Sequence, residues 1–301
     1  MVNRKIVVAT LAVLFLVGAA VIVNSQGTRK PKTGGGQAPG LKKPAATVAG
    51  TVVFCVSRFE DQVTLDPIVI YNNGQYVNPL PDEDGVFIRQ VEAKYLRKGQ
   101  KHRVIFGGAE AGTVTVGERQ EFGLTTTATM QSSIKLNNEV NALATSSPTL
   151  GAKQNSRRSP TTEERATMMK LMSDALKLKK VAASVIAKAE VNNITAIDLD
   201  GDGKAELIGS FALGQENLPS QGLFLIAEQQ NGQYQSAVTW YFKGSEENSQ
   251  QRRLIDVLDL DGDGVAEVFV KGSYYESTDF IIYKKVKGVW KSVYQGGAFG
   301  V

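Results

Sequence analysis

Short runs of Val, Ile, Phe and Thr alternate with turn residues from residue 51 to about residue 132. This pattern is typical of β-strands, because branched and aromatic side chains fit a pleated, half-buried surface. Asn73-Gly74, between two such runs, is a signal for a two-residue hairpin. The pattern therefore predicts a small all-β N-terminal domain, a sandwich or a barrel, at residues 51–132. The predicted strands lie at 51–56, 67–71, 86–91, 102–106 and 112–116.

The apolar spacing changes to a helical period after residue 160. Thr161 and Glu164 have the spacing of a capping box, and Met and Leu residues follow at intervals of three and four. The preceding stretch, 136–158, is polar and contains Ser-Ser-Pro. Residues 133–190 are therefore predicted to form a loose linker plus one amphipathic helix (about 161–188). Its methionine face is expected to pack against a neighbouring β-domain.

Residues 191–301 contain two copies of one pattern. The loop Asp198-Leu-Asp-Gly-Asp-Gly-Lys-Ala-Glu206 recurs 61 positions later as Asp259-Leu-Asp-Gly-Asp-Gly-Val-Ala-Glu267. Further on, Phe224-Leu-Ile matches Phe280-Ile-Ile at an offset of 56. Each copy reads as strand, acidic turn, strand, loop, strand, glycine turn, strand. The predicted fold is thus mainly β, ending in two four-stranded, blade-like antiparallel repeats.

The acidic loops point to a metal ion. Carboxylates at positions 1, 3, 5 and 9 of a tight turn repel one another unless a cation lies among them, and calcium accepts six to eight such oxygens. Glycine at position 6 allows a positive φ that other residues resist. We expect two calcium ions. The first would bind Asp198, Asp200, Asp202, Glu206 and the Lys204 carbonyl; the second would bind Asp259, Asp261, Asp263, Glu267 and the Val265 carbonyl.

The sequence around the loops distinguishes between classes of calcium motif. An EF-hand has flanking helices and a bidentate Glu at position 12. This chain has Gly209 and Val270 at that position, and β-branched and aliphatic residues flank its loops. The eight acidic ligands in their strand context resemble the FG-GAP and VCBS repeat family, which includes the calcium-binding blades of integrin α-chains. The resemblance covers about 190–301. It implies β-propeller blades that present loops to protein or glycan partners.

The N-terminus carries a targeting signal. Arg4 and Lys5 precede an unbroken apolar stretch at 6–23, whose 18 residues would reach about 27 Å as a helix. Residues 1–25 are either a retained signal anchor or a cleaved signal peptide, and both place the bulk of the protein outside the cytoplasm. Residues 26–50, rich in Gly, Pro and Lys, predict a flexible linker.

Charge and rare residues narrow the function further. The 301 residues carry a net charge of +4, but seven of the 34 basic residues and none of the 30 acidic ones lie in 1–50. The remainder is therefore slightly acidic, which argues against a nucleic-acid partner. Cys55, the only cysteine, is expected to be a small buried hydrophobe. His102, the only histidine, is expected at the surface or at a strand edge and not in a catalytic role.

These features predict a non-enzymatic module of a cell envelope. It would be stabilised by calcium, either tethered to the membrane by the N-terminal helix or secreted, and would bind an extracellular or envelope protein or a glycan. A variant of this hypothesis places the partner site on the helix near 161–180. The alternative is a secreted calcium-dependent hydrolase or lyase. No Gly-x-Ser-x-Gly motif supports a nucleophilic triad. The sequence does not exclude a glycosidase that uses two distant carboxylates.

Overall fold

The described part of the chain forms a closed six-stranded barrel followed by two four-stranded sheets. The computed structural model describes residues 48–80, 85–120, 124–137, 140–151, 155–215, 218–245, 248–275 and 277–300. The predicted signal segment at 1–25 lies outside these residues, as does almost all of the predicted linker. Within the described part, no helix is both long and apolar enough to cross a membrane.

The barrel is built from antiparallel strands in the order β1-β7-β4-β5-β6-β2, and β1 pairs again with β2 to close the ring. The short strand β3 extends this sheet beyond β2 through the Asn73-Gly74 turn, which confirms the predicted hairpin. The elements of this part are β1 (Thr51–Phe59), β2 (Gln62–Asn72), β3 (Gln75–Val77), α1 (Val86–Tyr95), β4 (Lys101–Phe106), β5 (Ala109–Arg119), β6 (Thr126–Ser132) and β7 (Ala142–Thr145).

Both faces of β1 are buried, and they serve different cores. Val52, Phe54 and Val56 fill the interior of the barrel. The alternate residues Val53 and Cys55 point outward and pack against the second of the two sheets. Alternation of side chains along a strand explains this division. The barrel therefore has an apolar outer side as well as an apolar interior.

The prediction of a strand at 86–91 is wrong, because these residues begin helix α1. Val86-Phe87-Ile88 has the composition of a strand, but Phe87, Val91 and Tyr95 recur every fourth residue, which is the spacing of one helix face. Val91 and Tyr95 are buried in the barrel core. The N-terminal part is thus not all-β, since a helix covers its interior.

The prediction of a loose segment at 136–158 is wrong in part. Residues Ala142–Thr145 form β7, which lies between β1 and β4 and completes the barrel. Four consecutive buried residues in a polar stretch are too few for a periodic signal. Their pairing with strands about 40 and 90 positions earlier depends on long-range contacts that local sequence does not encode.

The two sequence repeats form two separate antiparallel sheets, as predicted. The first sheet has the order β11-β10-β9-β8, and the second has the order β12-β13-β14-β15. The last hairpin of each sheet turns at Asn231-Gly232 or Lys287-Gly288, where both residues have positive φ. The strands are β8 (Glu190–Ile197), β9 (Glu206–Gln215), β10 (Leu218–Gln230), β11 (Gln233–Lys243), β12 (Gln250–Leu258), β13 (Glu267–Tyr274), β14 (Ser277–Val286) and β15 (Val289–Gly300).

The sheets stack face to face between the barrel and two helices. Phe224 and Ile226 of the first sheet pack against the second sheet. Their counterparts in the second sheet, Phe280 and Ile282, pack against the outer side of the barrel. Corresponding residues thus point in the same direction along the stack. The second sheet is consequently buried on both faces.

Helices α2 (Thr162–Leu178) and α3 (Ala183–Ile186) cover the outer face of the first sheet. The capping box is confirmed, since Thr161 Oγ1 accepts from Glu164 N at 3.2 Å and Glu164 Oε2 accepts from Thr161 N at 2.7 Å. Met168 and Met172 are buried against the first sheet. The methionine face is therefore a packing surface against a β-sheet, as expected.

A buried ion pair connects the barrel with the second sheet. Arg157 Nη1 donates to Asp256 Oδ1 at 3.0 Å, and the two side chains are 6% and 0% exposed. Asp256 Oδ2 accepts from the backbone of Gly107 at 2.7 Å, and the guanidinium lies 4.3 Å from the Phe106 ring centre. Burial raises the pKa of Asp256 to about 6. The pair joins β4, the segment before α2 and β12 within the compact unit that begins at Pro44.

Candidate metal centre

The two acidic loops occupy corresponding places in the two sheets. Loop 1 (residues 198–206) runs from the end of β8 to the first residue of β9, and loop 2 (residues 259–267) runs from the end of β12 to the first residue of β13. The second residue of each loop, Leu199 or Leu260, is buried in the core and holds the loop against its sheet. The loops are neighbours, because Ala266 N donates to Leu199 O at 2.8 Å.

The first Asp of each loop organises the turn. Asp198 accepts backbone hydrogen bonds from Gly201 at 2.7 Å and Gly203 at 3.0 Å, and Asp259 accepts the equivalent bonds at 2.9 and 3.1 Å. Gly203 has φ +84° and Gly264 has φ +97°, as predicted for position 6. A side-chain-bearing residue would be strained at these φ values. The loop backbone is thus held in a conformation that directs several carboxylates inward.

The last acid of each loop is buried. Glu206 is 6% exposed and Glu267 is 0% exposed, and each accepts a backbone hydrogen bond from the leucine seven residues earlier, at 2.8 and 2.7 Å. Burial raises the pKa of both carboxyl groups to about 7. A carboxylate at such a position is stable in its charged form only if a positive charge or hydrogen bonds compensate for its burial.

The structure brings three of the four predicted acidic ligands of each loop together. Carboxylate oxygens of Asp198, Asp200 and Glu206 lie within 4.8 Å of one another, and so do those of Asp259, Asp261 and Glu267. The remaining predicted ligand of each loop, Asp202 or Asp263, accepts a hydrogen bond from the backbone N–H two residues later, at 2.8 and 2.9 Å. The ligand roles of the Lys204 and Val265 carbonyls stay predictions.

A lysine extends into loop 2. Lys284 Nζ lies 2.8 Å from both Asp261 carboxylate oxygens, 2.7 Å from Asp263 Oδ2 and 3.0 Å from Glu267 Oε1. Burial lowers the pKa of Lys284, but the hydrogen bonds to these carboxylates outweigh it and raise the pKa above its ordinary value. The side chain is therefore a fixed cation.

Loop 1 has a different neighbour at the corresponding position. The repeat alignment places Glu228 where the second sheet has Lys284. Glu228 Oε1 accepts from Trp290 Nε1 and from Lys285 Nζ, both at 2.6 Å, and both donors belong to the second sheet. Lys285 Nζ is 3.8 Å from Asp200 Oδ2, beyond hydrogen-bond distance. Lys285 therefore forms its short ion pair with Glu228 and not with Asp200.

The donor set of loop 1 suits a hard divalent cation. Carboxylates of Asp198, Asp200 and Glu206 converge, and calcium prefers oxygen ligands and accepts irregular geometry. Loop 2 offers the same carboxylates with Lys284 already bonded to three of its acids. Sequence reasoning did not identify Lys284, Lys285 or Glu228. The sequence contains one indication of this difference between the loops, because Glu228 and Lys284 have opposite charges at equivalent positions of the two repeats.

The only cysteine, Cys55, and the only histidine, His102, are both buried in the protein and are not part of the acidic loops. Cys55 is 0% exposed, as expected, and burial raises its pKa to about 12. His102 is 3% exposed, so the prediction of a surface position is wrong. It takes an inward-facing position of β4, packs 4.6 Å from the Phe54 ring and donates from Nε2 to Tyr95 O at 2.7 Å.

Three comparisons, with models of protein families, with curated proteins and with solved structures, found no match to the chain.

Proposed function

We propose that this protein is a non-enzymatic, calcium-stabilised binding or structural module that works outside the cytoplasm. The N-terminal segment would either anchor it in the membrane or direct its secretion. The observation that carries the proposal is the convergence of an Asp-x-Asp pair and a buried Glu at the same turn of two repeated sheets. Extracellular calcium modules bind with dissociation constants of about 10⁻⁴–10⁻³ M. Such an ion is a structural staple and not a signal.

The two sheets are proposed to be blade-like repeats related to the FG-GAP and VCBS type. Their consecutive strand order and their acidic turn between the first two strands support this assignment. The barrel and the helices cover the outer faces of the pair, so two blades can be stable without a closed propeller. The partner is proposed to be an envelope or extracellular protein or a glycan.

The test of the calcium proposal is thermal unfolding of the full chain in a mild detergent. About 10 mM calcium, against excess chelator, is expected to add roughly 1.4–2.7 kcal/mol to the free energy of unfolding, from RT ln(1 + [Ca]/Kd). Combined Asp200→Ala and Asp261→Ala substitutions are expected to abolish the rise in melting temperature. Asp61→Ala, which removes an exposed carboxylate paired with Arg58, should leave it intact. An unchanged melting temperature in the wild-type protein would contradict the proposal.

The binding part needs a separate measurement. Wild-type protein is applied to a glycan array and to purified envelope proteins, in calcium and in chelator. Saturable binding that weakens in chelator is expected. Binding to neither, with the protein shown to be folded, would leave only a structural role and contradict the binding hypothesis.

A further inference from the structure

Lys284 places its ammonium group at the centre of loop 2. The group is a point charge with three N–H donors, and its four short contacts, all to carboxylate oxygens, come from Asp261, Asp263 and Glu267. The side chain is 16% exposed, so most of it is withdrawn from water. Lys284 comes from β14, about 20 residues away from the loop, and is not part of the turn itself.

The lysine and a metal ion compete for the same oxygens. A calcium ion needs several of these oxygens at 2.3–2.6 Å, whereas Lys284 Nζ already lies 2.7–3.0 Å from them. Two positive centres bound to one carboxylate would repel strongly at this distance, because the site is partly withdrawn from water. Occupation by one therefore excludes the other.

Loop 1 has its own lysine, but Lys204 Nζ bonds Asp202 Oδ2, at 3.3 Å, and Asp202 is outside the converging group of Asp198, Asp200 and Glu206. Glu228 stands at the position of Lys284, and the nearby Lys285 of the second sheet bonds Glu228 at 2.6 Å. Strand geometry explains why neighbouring lysines serve different loops, because successive side chains point to opposite faces. Lys284 points to the barrel side with Ile282, and Lys285 points to the first sheet with Tyr283.

We propose that Lys284 is the built-in cation of loop 2 and that it excludes calcium from this loop. The chain then binds one divalent ion, at loop 1, although its sequence contains two matching acidic loops. The part that concerns loop 1 rests on the proposed function, whereas the part that concerns loop 2 stands on the contacts of Lys284 alone.

The affinities make this exclusion effective. A tethered group competes at an effective concentration of about millimolar or above. Extracellular calcium loops have dissociation constants of about 10⁻⁴–10⁻³ M. Calcium must displace this tethered ammonium from three carboxylates before it can bind at loop 2, whereas, within the described part of the chain, the converging carboxylates of loop 1 carry no such bonded ammonium.

The experiment counts calcium ions bound per full-length chain by equilibrium dialysis, at ~10 mM free calcium and after removal of metal with chelator. The wild-type protein is expected to bind one ion. Lys284→Met keeps an unbranched side chain, shorter by the charged group alone, and it is expected to bind two. Adding Asp261→Ala to this variant should return the number to one. The matched control is Lys291→Met, an exposed lysine on the strand beside Lys284, which should still bind one.

The outcomes separate this inference from the proposed function. Two ions in the wild-type protein, one of them lost in Asp261→Ala, would overturn the inference and support calcium binding. Equal numbers in the wild-type protein and in folded Lys284→Met would also overturn the inference. No ion in the wild-type protein and one in Lys284→Met would support the inference while removing loop 1 from the proposed function.

A second measurement does not depend on the folding of Lys284→Met. Asp261→Ala alone, with Lys284 intact, should still bind one ion, and Asp200→Ala should bind none. If Asp261→Ala lowers the number bound by the wild-type chain, loop 2 holds an ion and the inference fails.

Discussion

His102 is a titratable group in the interior of the barrel. It packs against Phe54 and donates one hydrogen bond to Tyr95 O, so its neutral form is well accommodated. Burial lowers its pKa from 6.5. Below about pH 6.5 the unfolded chain takes up a proton that the folded barrel resists. The contribution of His102 to stability is therefore present above this pH and is lost as the pH falls through the folded pKa.

This pH dependence of the stability contribution of His102 can be tested by a substitution. The difference in melting temperature between wild-type protein and His102→Gln is expected to shrink from pH 7 to pH 5, because glutamine does not titrate. Other buried acids, such as Asp256, titrate in both proteins and largely cancel in the difference. Lys101→Gln, an exposed neighbour, is the control and should give a pH-independent difference. A constant difference for His102→Gln would refute the assignment.

The sequence alone predicts the acidic ligands of the loops, but it does not predict the contact of Lys284 with loop 2. Asp198, Asp200 and Glu206 lie within nine consecutive residues, so their convergence follows from a single tight turn. Lys284 reaches Asp261 from a strand two elements later, and its contact depends on how β13 pairs with β14. Only the structure shows which side of the sheet each lysine faces.

At the scale of elements, helix α2 is defined by its N-terminal cap. Thr161→Ala is expected to lower the free energy of unfolding by about 1 kcal/mol, because it removes the hydroxyl oxygen that accepts a hydrogen bond from the Glu164 backbone N–H. Thr162→Ala, at the exposed first helical residue, should change it by less than about 0.5 kcal/mol. Urea unfolding of both variants measures the difference. Equal effects would show that the cap does not contribute.

Turns defined by their own residues agree with the sequence prediction, whereas helix α1 and strand β7 do not. The acidic turns and the glycine hairpins follow from residues that adopt positive φ, and Asn73-Gly74 is one example. Helix α1 was missed because its first three residues favour strands while its burial period is helical. Strand β7 was missed because four residues acquire their conformation only between β1 and β4.

At the scale of the molecule, the pair Arg157–Asp256 joins the barrel to the second sheet. Arg157→Met is expected to cost about 3–5 kcal/mol, because it leaves the Asp256 charge buried without its partner. Combining it with Asp256→Asn should recover part of this loss. The control Arg58→Met breaks an exposed pair with Asp61 and should cost less than about 1 kcal/mol.

Urea unfolding of the four proteins gives these values. The assignment fails if Arg157→Met is no more destabilising than Arg58→Met, or if Asp256→Asn gives no recovery in the double variant. Either result would mean that the layers are held together by their apolar faces alone.

The stacking of the sheets has a consequence for the number of repeats. Phe224 and Phe280 are equivalent, yet one contacts the second sheet and the other contacts the barrel. The outer side of β1, with Val53 and Cys55, thus takes the place of a third sheet. In a linear repeat array, end units with one polar outer surface stop the addition of further copies. The barrel and α2 cover the two outer faces of the pair, which are the positions that end caps take in such an array.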